Sequence, residues 1–328
     1  MPDGQKIAGR VFVTRDLAPP VIQRLRDEFS EVDVWEPYGP PAPRELAERT
    51  TGCVALLTMV SDRVDAALLD AAPTLKVVAN MAVGYNNVDI AAAAARGVVI
   101  TNTPNVLEET TADMAFALML AVARRVVESD ADTRAGNWGL WHPGLWLGND
   151  VHGATLGIVG LGTIGSAVAR RAGGFDMRIK YTARNRQSET EAAVGAEYVP
   201  DLRDLLGQSD FVSLHVPLTD ATRDLIGVPE FRAMKSTAYL INTSRGDVVN
   251  TDALLAALQD GAIAGAGIDV TAPEPIPPDH PLLKQSNLVI TPHLGSATHA
   301  TRIRMAMLAA ENAIAACTGA PVPNAVTG

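Results

Sequence analysis

A short apolar strand, a glycine-rich loop and a helix follow one another at residues 155–172, and this segment constrains the fold more than any other. In the loop, Gly160 permits a tight turn, Gly162 lets the backbone approach a pyrophosphate, and Gly165 allows the helix to pack closely. The amino terminus of the helix favours an anion. In this context we predict a Rossmann dinucleotide-binding domain rather than an incidental glycine-rich turn. The expected cofactor contacts at this loop are Gly160, Gly162, Thr163, Ile164 and Gly165.

Two stretches of the chain alternate short β-branched runs with helical patterns, which indicates two parallel sheets covered by helices. A chain of 328 residues also exceeds the usual size of a single hydrophobic core. Between the two stretches, the apolar spacing predicts one long helix from Glu108 to Ala135, and another is expected at 298–317. The predicted strands are 11–14, 32–35, 54–57, 76–79, 98–100, 155–159, 178–181, 211–215, 238–242, 266–270 and 288–290. The predicted fold class is α/β, with two doubly wound parallel-sheet domains.

The strand after the glycine-rich loop ends without the acidic residue that would bind the ribose 2′-hydroxyl of NAD. Ala183 stands where that acid is expected, and Arg184 and Arg186 follow it. A small residue removes repulsion, and guanidinium groups supply forked donors for a 2′-phosphate. The pattern therefore favours NADP as cofactor, with NAD possible at lower preference; a solvated basic turn is the alternative interpretation.

Three chemically suitable side chains follow predicted strands of the second stretch: Arg245, Glu274 and His293. Hydride transfer to a keto acid needs a cation for the carboxylate, an acid for the carbonyl oxygen, and a group that keeps this acid protonated. Ligands of open α/β sheets bind beyond the carboxyl ends of the strands, so these residues are expected to converge there. Taken singly, they could also be a structural histidine and a surface ion pair.

Composition excludes several other functions. A net charge of −10 argues against nucleic acid and against anionic membranes as partners. Cys53 and Cys317 lie far apart in the sequence, and the histidines lack metal-ligand spacing, so we expect neither a disulfide framework nor a metal site. The longest apolar run is too short to span a bilayer and no signal sequence is visible, so a cytoplasmic location is predicted.

Several ordered motifs together resemble the D-isomer-specific 2-hydroxyacid dehydrogenases, and the resemblance covers essentially the whole chain. The motifs are Val83-Gly84 within 81–89, the loop 160–165, and the segments 242–250, 267–275 and 291–296. Within the family, 245–250, 269–275, 293–299 and the tryptophan-rich loop around Trp141 look most like the members that reduce glyoxylate and hydroxypyruvate. Other family activities remain alternatives: D-lactate or phenylpyruvate reduction, and dinucleotide sensing without catalysis as in the related corepressors.

The resemblance implies roles for particular residues. Arg245 would hold the carboxylate and carbonyl of a small 2-keto acid, His293 would act as the acid in reduction, and Glu274 would pair with His293. The backbone amides of Val83 and Gly84 would bind the substrate carboxylate. Further implied contacts lie along the cofactor, at Thr111, Pro217, Thr243, Asp269 and Gly295, with His215 placed nearby by its position at a strand end.

The resemblance also implies the domain organisation and the assembly. Residues 1–104 and 299–328 would form a flavodoxin-like substrate domain, and 105–298 the Rossmann domain. The family forms homodimers, and Trp141 would reach the active site of the partner subunit; packing within its own loop is the other interpretation. The chain departs from the NAD-using majority at Ala183, which concerns the cofactor and leaves the catalytic residues untouched.

Overall fold

The computed structural model of the protein describes residues 6–326. Its strands are β1 (Ile7–Val13), β2 (Phe29–Val34), β3 (Cys53–Thr58), β4 (Val77–Asn80), β5 (Val99–Thr101), β6 (Thr155–Val159), β7 (Arg178–Thr182), β8 (Glu197–Tyr198), β9 (Phe211–Leu214), β10 (Tyr239–Asn242), β11 (Gly265–Ile268) and β12 (Leu288–Ile290). Its helices are α1 (Pro19–Glu28), α2 (Pro43–Thr50), α3 (Ala66–Ala71), α4 (Ile90–Ala95), α5 (Glu108–Ala123), α6 (Val126–Arg134), α7 (Thr163–Gly173), α8 (Ser188–Val194), α9 (Leu202–Gln208), α10 (Val228–Ala233), α11 (Thr251–Gln259) and α12 (His299–Thr318).

The chain divides into two compact units. The first contains the described residues up to Leu107 together with those from Thr298 onward, and its sheet has the order β2-β1-β3-β4-β5. All its strand pairs are parallel, and this is the flavodoxin-like order. Strand β4 is buried along its whole length, as expected for a parallel sheet covered on both faces. Helix α12 packs against β3 and β4, so the end of the chain completes this unit.

The second unit, Glu108–Ala297, has a seven-stranded sheet in the order β12-β11-β10-β9-β6-β7-β8. All of these pairs are also parallel. The strand order reverses between β6 and β9, which is the topological switch point where such sheets bind nucleotides. The predicted fold class, two parallel-sheet α/β domains with a Rossmann-type second domain, is confirmed.

The register of the second sheet aligns the ends of its strands. Val159 at the end of β6 pairs with Thr182 on one side and with Leu214 on the other. Across the sheet, Asn242 pairs with Ile268, and Ile268 pairs in turn with Ile290 at the end of β12. The residues that follow these strands therefore lie along one edge, which we call the carboxyl edge of the second sheet.

The long helix predicted from Glu108 to Ala135 is wrong: it is broken into α5 and α6. Arg125 between them has a left-handed backbone with φ of 54°. The carbonyl of Ala123 accepts a hydrogen bond from the N–H of Asn149 at 2.9 Å, so a later loop satisfies the end of α5. None of the helices within residues 6–326 combines the length and the hydrophobicity that a transmembrane span requires.

Candidate active site

The glycine-rich loop lies at the switch point and is shaped by close backbone contacts. Gly160 has φ of +97°, and a Cβ there would be 2.8 Å from the carbonyl oxygen of His215. A Cβ on Gly165 would be 2.1 Å from the carbonyl oxygen of Gly160, so larger residues would force the loop away from α7. Gly162, the N-cap of α7, has no atom within 4 Å of an added Cβ and faces open space. The first N–H groups of the helix are thus available to an anion, which fits a pyrophosphate.

The turn after β7 carries the predicted ribose-binding residues, and its two arginines differ. Arg184 is exposed and has no hydrogen bond or ion pair to any residue in the range 6–326. Arg186 donates to the carboxylate of Glu191 through Nε at 2.8 Å and Nη2 at 2.6 Å. This hydrogen bond lowers the pKa of Glu191, although burial opposes the shift. Arg186 is therefore neutralised within the chain, whereas Arg184 is not.

Three further predicted cofactor residues follow β9 and β10. His215 contacts Ser213 through Nε2 at 2.8 Å, and burial lowers its pKa to about 4. Pro217 begins an exposed turn in which its carbonyl accepts a hydrogen bond from Thr222 at 2.6 Å. The hydroxyl of Thr243 is buried without a hydrogen-bond partner among the described residues. An orphaned hydroxyl at this edge fits a site that is completed by a polar ligand.

Asp269 is buried directly after β11 and organises the loop that carries His293. Its Oδ1 accepts hydrogen bonds from Thr291 Oγ1 at 2.6 Å and from the N–H of Leu294 at 2.7 Å. Its Oδ2 accepts one from the N–H of Gly295 at 2.7 Å. Thr111 on α5 lies beside Gly295, with its hydroxyl 3.4 Å from an added glycine Cβ. The carboxylate therefore fixes the loop, a role that the sequence interpretation did not include.

The structure brings His293 and Glu274 together. His293 Nδ1 lies 2.6 Å from Glu274 Oε1, and the two side chains are 30% and 39% exposed. Burial opposes ionisation of Glu274, but the hydrogen bond and charge of His293, with the charge of Arg245, lower its pKa overall. His293 itself has φ of 58°, and its N–H donates to the carbonyl of Asp269 at 2.9 Å. An ionised Glu274 holds one ring nitrogen and leaves the other for a substrate.

Arg245 lies in the loop after β10, close enough to Glu274 for their charges to interact. Burial lowers the pKa of its guanidinium, while the Glu274 carboxylate acts in the opposite direction. Its Nη1 donates to the carbonyl of Ser244 at 2.8 Å, and its own carbonyl accepts from Asn242 Nδ2 at 2.9 Å. An arginine is the residue suited to forked binding of a carboxylate.

Sequence reasoning missed Gly246 as a shaping residue. A Cβ on Gly246 would be 2.0 Å from the backbone of Thr271, so only glycine lets the Arg245 loop approach the Glu274 loop. The signal was present, because Gly246 follows Arg245 directly, but a lone glycine after a charged residue does not reveal which backbone it must pass.

The predicted substrate contacts of the first unit lie in the turn after β4. Val83 and Gly84 are partly exposed, and their N–H groups donate to no acceptor within the described chain. Trp141 is 78% exposed in the loop after α6. No cluster of His, Cys, Asp and Glu side chains that could hold a metal ion occurs between residues 6 and 326.

Together these features amount to an anion-binding loop, a histidine–glutamate pair and a partly buried arginine, arranged along the edge of one sheet in the second unit. Such a set can bind a dinucleotide, anchor a carboxylate and transfer a proton.

Comparison with known proteins agrees with this geometry. The profile described as D-isomer specific 2-hydroxyacid dehydrogenase, NAD binding domain, matches residues 116–295. The glyoxylate reductase of Korarchaeum cryptofilum is 54% identical over 318 residues, covering 97% of this chain and 95% of the relative. A crystal structure of a Thermus thermophilus protein has a TM-score of 0.91 at 48% identity, covering 97% of this chain and 100% of that one.

A second solved structure is the NADPH-dependent glyoxylate/hydroxypyruvate reductase of Sinorhizobium meliloti in complex with NADP and malonate. It is 33% identical with a TM-score of 0.85, and 97% of each chain is covered. The matches confirm the predicted resemblance: the chain belongs to the D-isomer specific 2-hydroxyacid dehydrogenase family and is an NAD(P)-dependent oxidoreductase.

Proposed function

We propose that the protein reduces glyoxylate to glycolate and hydroxypyruvate to D-glycerate, with NADPH as the preferred cofactor. The observation that carries the proposal is the placement of His293, Glu274 and Arg245 together at the carboxyl edge that also holds the glycine-rich loop. The name of the Korarchaeum relative supports glyoxylate, and the Sinorhizobium relative supports both substrates and NADPH.

The residues present fit a nicotinamide dinucleotide. The open space at Gly162 and the first turn of α7 suit the pyrophosphate, the turn at Ala183, Arg184 and Arg186 suits the adenosine ribose, and the orphaned hydroxyl of Thr243 lies further along the same edge. Asp269 can accept a further hydrogen bond from the cofactor, because its three hydrogen bonds leave part of its acceptor capacity unused. When bound, the reduced cofactor supplies the hydride.

The chain's own residues then bind the substrate and move the proton. Arg245 binds the carboxylate and polarises the carbonyl. In the first unit, the amides of Val83 and Gly84 are, by the family resemblance, a binding site for a substrate carboxylate. His293 donates a proton from Nε2 to the carbonyl oxygen, while Glu274 accepts a hydrogen bond from Nδ1 and stabilises the imidazolium before transfer. Burial of Arg245 strengthens its interaction with an anion because less water competes for its charge.

We further propose a homodimer in which the loop containing Trp141 crosses to the partner subunit. The loop exposes five large apolar side chains within ten residues of sequence, and exposed apolar side chains that cluster are typical of an interface. They are Trp138, Leu140, Trp141, Leu145 and Leu147. A cytoplasmic location remains a prediction from composition.

The test is a steady-state panel of glyoxylate, hydroxypyruvate, pyruvate and phenylpyruvate with NADPH and with NADH, on the wild type and on His293→Ala. We expect the highest kcat/KM for glyoxylate or hydroxypyruvate with NADPH, and a loss of about 10²- to 10⁴-fold in turnover for His293→Ala, because a positioned acid contributes that much. NADPH binding, followed by fluorescence titration, should be retained in the variant. A preference for pyruvate or phenylpyruvate would favour the D-lactate or phenylpyruvate alternative, and undiminished kcat in His293→Ala would remove the histidine from the mechanism.

A further inference from the structure

The turn after β4 presents three consecutive backbone N–H groups, those of Val83, Gly84 and Tyr85. None of them donates a hydrogen bond to an acceptor within residues 6–326. In contrast, the two preceding N–H groups are used: that of Met81 donates to the carbonyl of Thr58, and that of Ala82 to the carbonyl of Asn80, both at 2.8 Å. A row of successive unpaired amides forms a concave site for an anion.

The carbonyl groups of residues 82–84 in the same turn all accept hydrogen bonds from other residues of the first unit. The carbonyl of Ala82 accepts from the N–H of Thr103 at 2.9 Å. The side-chain amide of Asn102 donates to the carbonyl of Val83 at 2.9 Å, and that of Asn80 donates to the carbonyl of Gly84 at 3.0 Å.

These hydrogen bonds to the carbonyl groups also fix the direction in which the following N–H groups point. In a trans peptide the C=O of one residue and the N–H of the next point in opposite directions, and the cis bonds of the described chain lie elsewhere, at Pro273 and Pro275. The bond from Asn102 to Val83 therefore turns the N–H of Gly84 away from the sheet. The bond from Asn80 does the same for Tyr85, and the bond from Thr103 does it for Val83.

The two asparagines are themselves fixed by the fold. Asn80 is fully buried at the end of β4, and its Oδ1 lies 3.3 Å from the hydroxyl of Thr58. The backbone of Asn102 is held by the last helix, because Asn312 Nδ2 donates to its carbonyl at 3.1 Å. Asn312 is also fully buried, and its Oδ1 accepts from Asn324 at 3.1 Å. Helix α12 thus supports the turn through one hydrogen bond to Asn102.

We propose that Asn80 and Asn102 are positioning residues for the substrate carboxylate: they hold the carbonyls of Gly84 and Val83 so that the amides of Tyr85 and Gly84 face the ligand, next to the Val83 amide that the Thr103 hydrogen bond orients. This inference rests on the proposed function, since it takes the ligand of these amides to be a small 2-keto acid. Neither asparagine is assigned contact with the substrate; each acts through the backbone that it holds.

Asparagine-to-aspartate substitutions test this, because they preserve shape while removing the donor and placing a charge beside the carbonyl. Asn102→Asp and Asn80→Asp should each raise KM for glyoxylate by about 10-fold, with kcat changed less than about 3-fold, because a lost hydrogen bond in a buried setting has that effect. The inhibition constant of malonate should rise in parallel, and the dissociation constant of NADPH should stay unchanged. Asn102 is only partly buried, so its variant is expected to fold. If Asn80→Asp, at a fully buried position, does not fold, the neutral Asn80→Ser provides the second variant there.

The matched control is Asn287→Asp in the other unit, where the side chain donates to the carbonyl of Leu258 at 3.2 Å before β12. It should lower the melting temperature without raising KM. Wild-type KM and malonate inhibition in folded Asn102→Asp, or a loss confined to kcat, would overturn the inference alone. A wild type that turns over no 2-keto acid would instead overturn the proposed function, and this inference with it.

Discussion

The choice between NADPH and NADH should depend on Arg184 much more than on Arg186. The two residues look equivalent in the sequence, but only Arg186 has an internal partner, Glu191, which takes two of its hydrogen bonds. Arg184 is exposed and has no protein acceptor within the described residues. Arg184→Ala should therefore weaken NADPH binding by about 10- to 100-fold, the effect of losing one charge-assisted hydrogen bond, and leave NADH nearly unchanged.

Glu191 should reduce the preference for NADPH, because its charge cancels that of Arg186 and repels a 2′-phosphate. A unit charge about 7 Å from a phosphate of charge −1 to −2 in water changes its affinity by roughly 3- to 10-fold. Glu191→Gln should therefore tighten NADPH binding by roughly this factor and leave NADH unaffected. The double variant Arg186→Ala with Glu191→Gln restores neutrality, so its NADPH affinity should lie within about 3-fold of the wild type.

The assay is fluorescence titration of each apo-variant with NADPH and with NADH. The affinities for adenosine 2′,5′-bisphosphate and for AMP are also compared, because their difference isolates the contribution of the 2′-phosphate to binding. Glu189→Gln is the matched control, because it removes an exposed negative charge from the same helix without freeing an arginine. The reasoning is refuted if Glu191→Gln weakens NADPH binding, since Glu191 would then orient Arg186 for the ligand. It also fails if the double variant loses as much affinity as Arg184→Ala, or if the wild type prefers NADH.

Two further predictions concern assembly and pH. Trp141→Ala should raise KM for short keto acids without unfolding the protein, because the exposed indole would no longer reach the partner's site. Light scattering should show a dimer, and a fully active monomer would contradict the idea. Burial lowers the pKa of His215 to about 4. Below the ordinary pKa of histidine, the unfolded chain therefore binds a proton at His215 that the folded apo-protein does not bind. The free energy of unfolding should fall as the pH drops toward 4. The loss at pH 5 relative to pH 7 should be about 2 kcal/mol by urea unfolding, and His215→Asn should lack this component; equal pH dependence in both proteins would exclude His215 as its source.

Much of the fold could be predicted because parallel sheets leave a strong local signal. Strands buried on both faces appear as short β-branched runs, and the glycine-rich loop identifies the first βαβ turn of the second unit. The helix break at Arg125 was not predicted because it involves a long-range hydrogen bond, in which the N–H of Asn149 donates to the carbonyl of Ala123 at the end of α5. No residue near Arg125 in the sequence indicates this bond.

For the candidate site, the residue types and the order of the motifs were enough to predict which chemical groups follow the strands and to which family the chain belongs. The register of the second sheet then brings together His293 and Glu274, which are 19 residues apart in the chain. His293 Nδ1 lies 2.6 Å from Glu274 Oε1. Long-range packing distinguishes Arg184 from Arg186 and assigns Asp269 to the loop that carries His293. It also turns the amides of Gly84 and Tyr85 outward through two asparagines. Residue types and strand ends are local properties of a chain, whereas the partner of a charge or a carbonyl depends on which distant segment the fold packs against it.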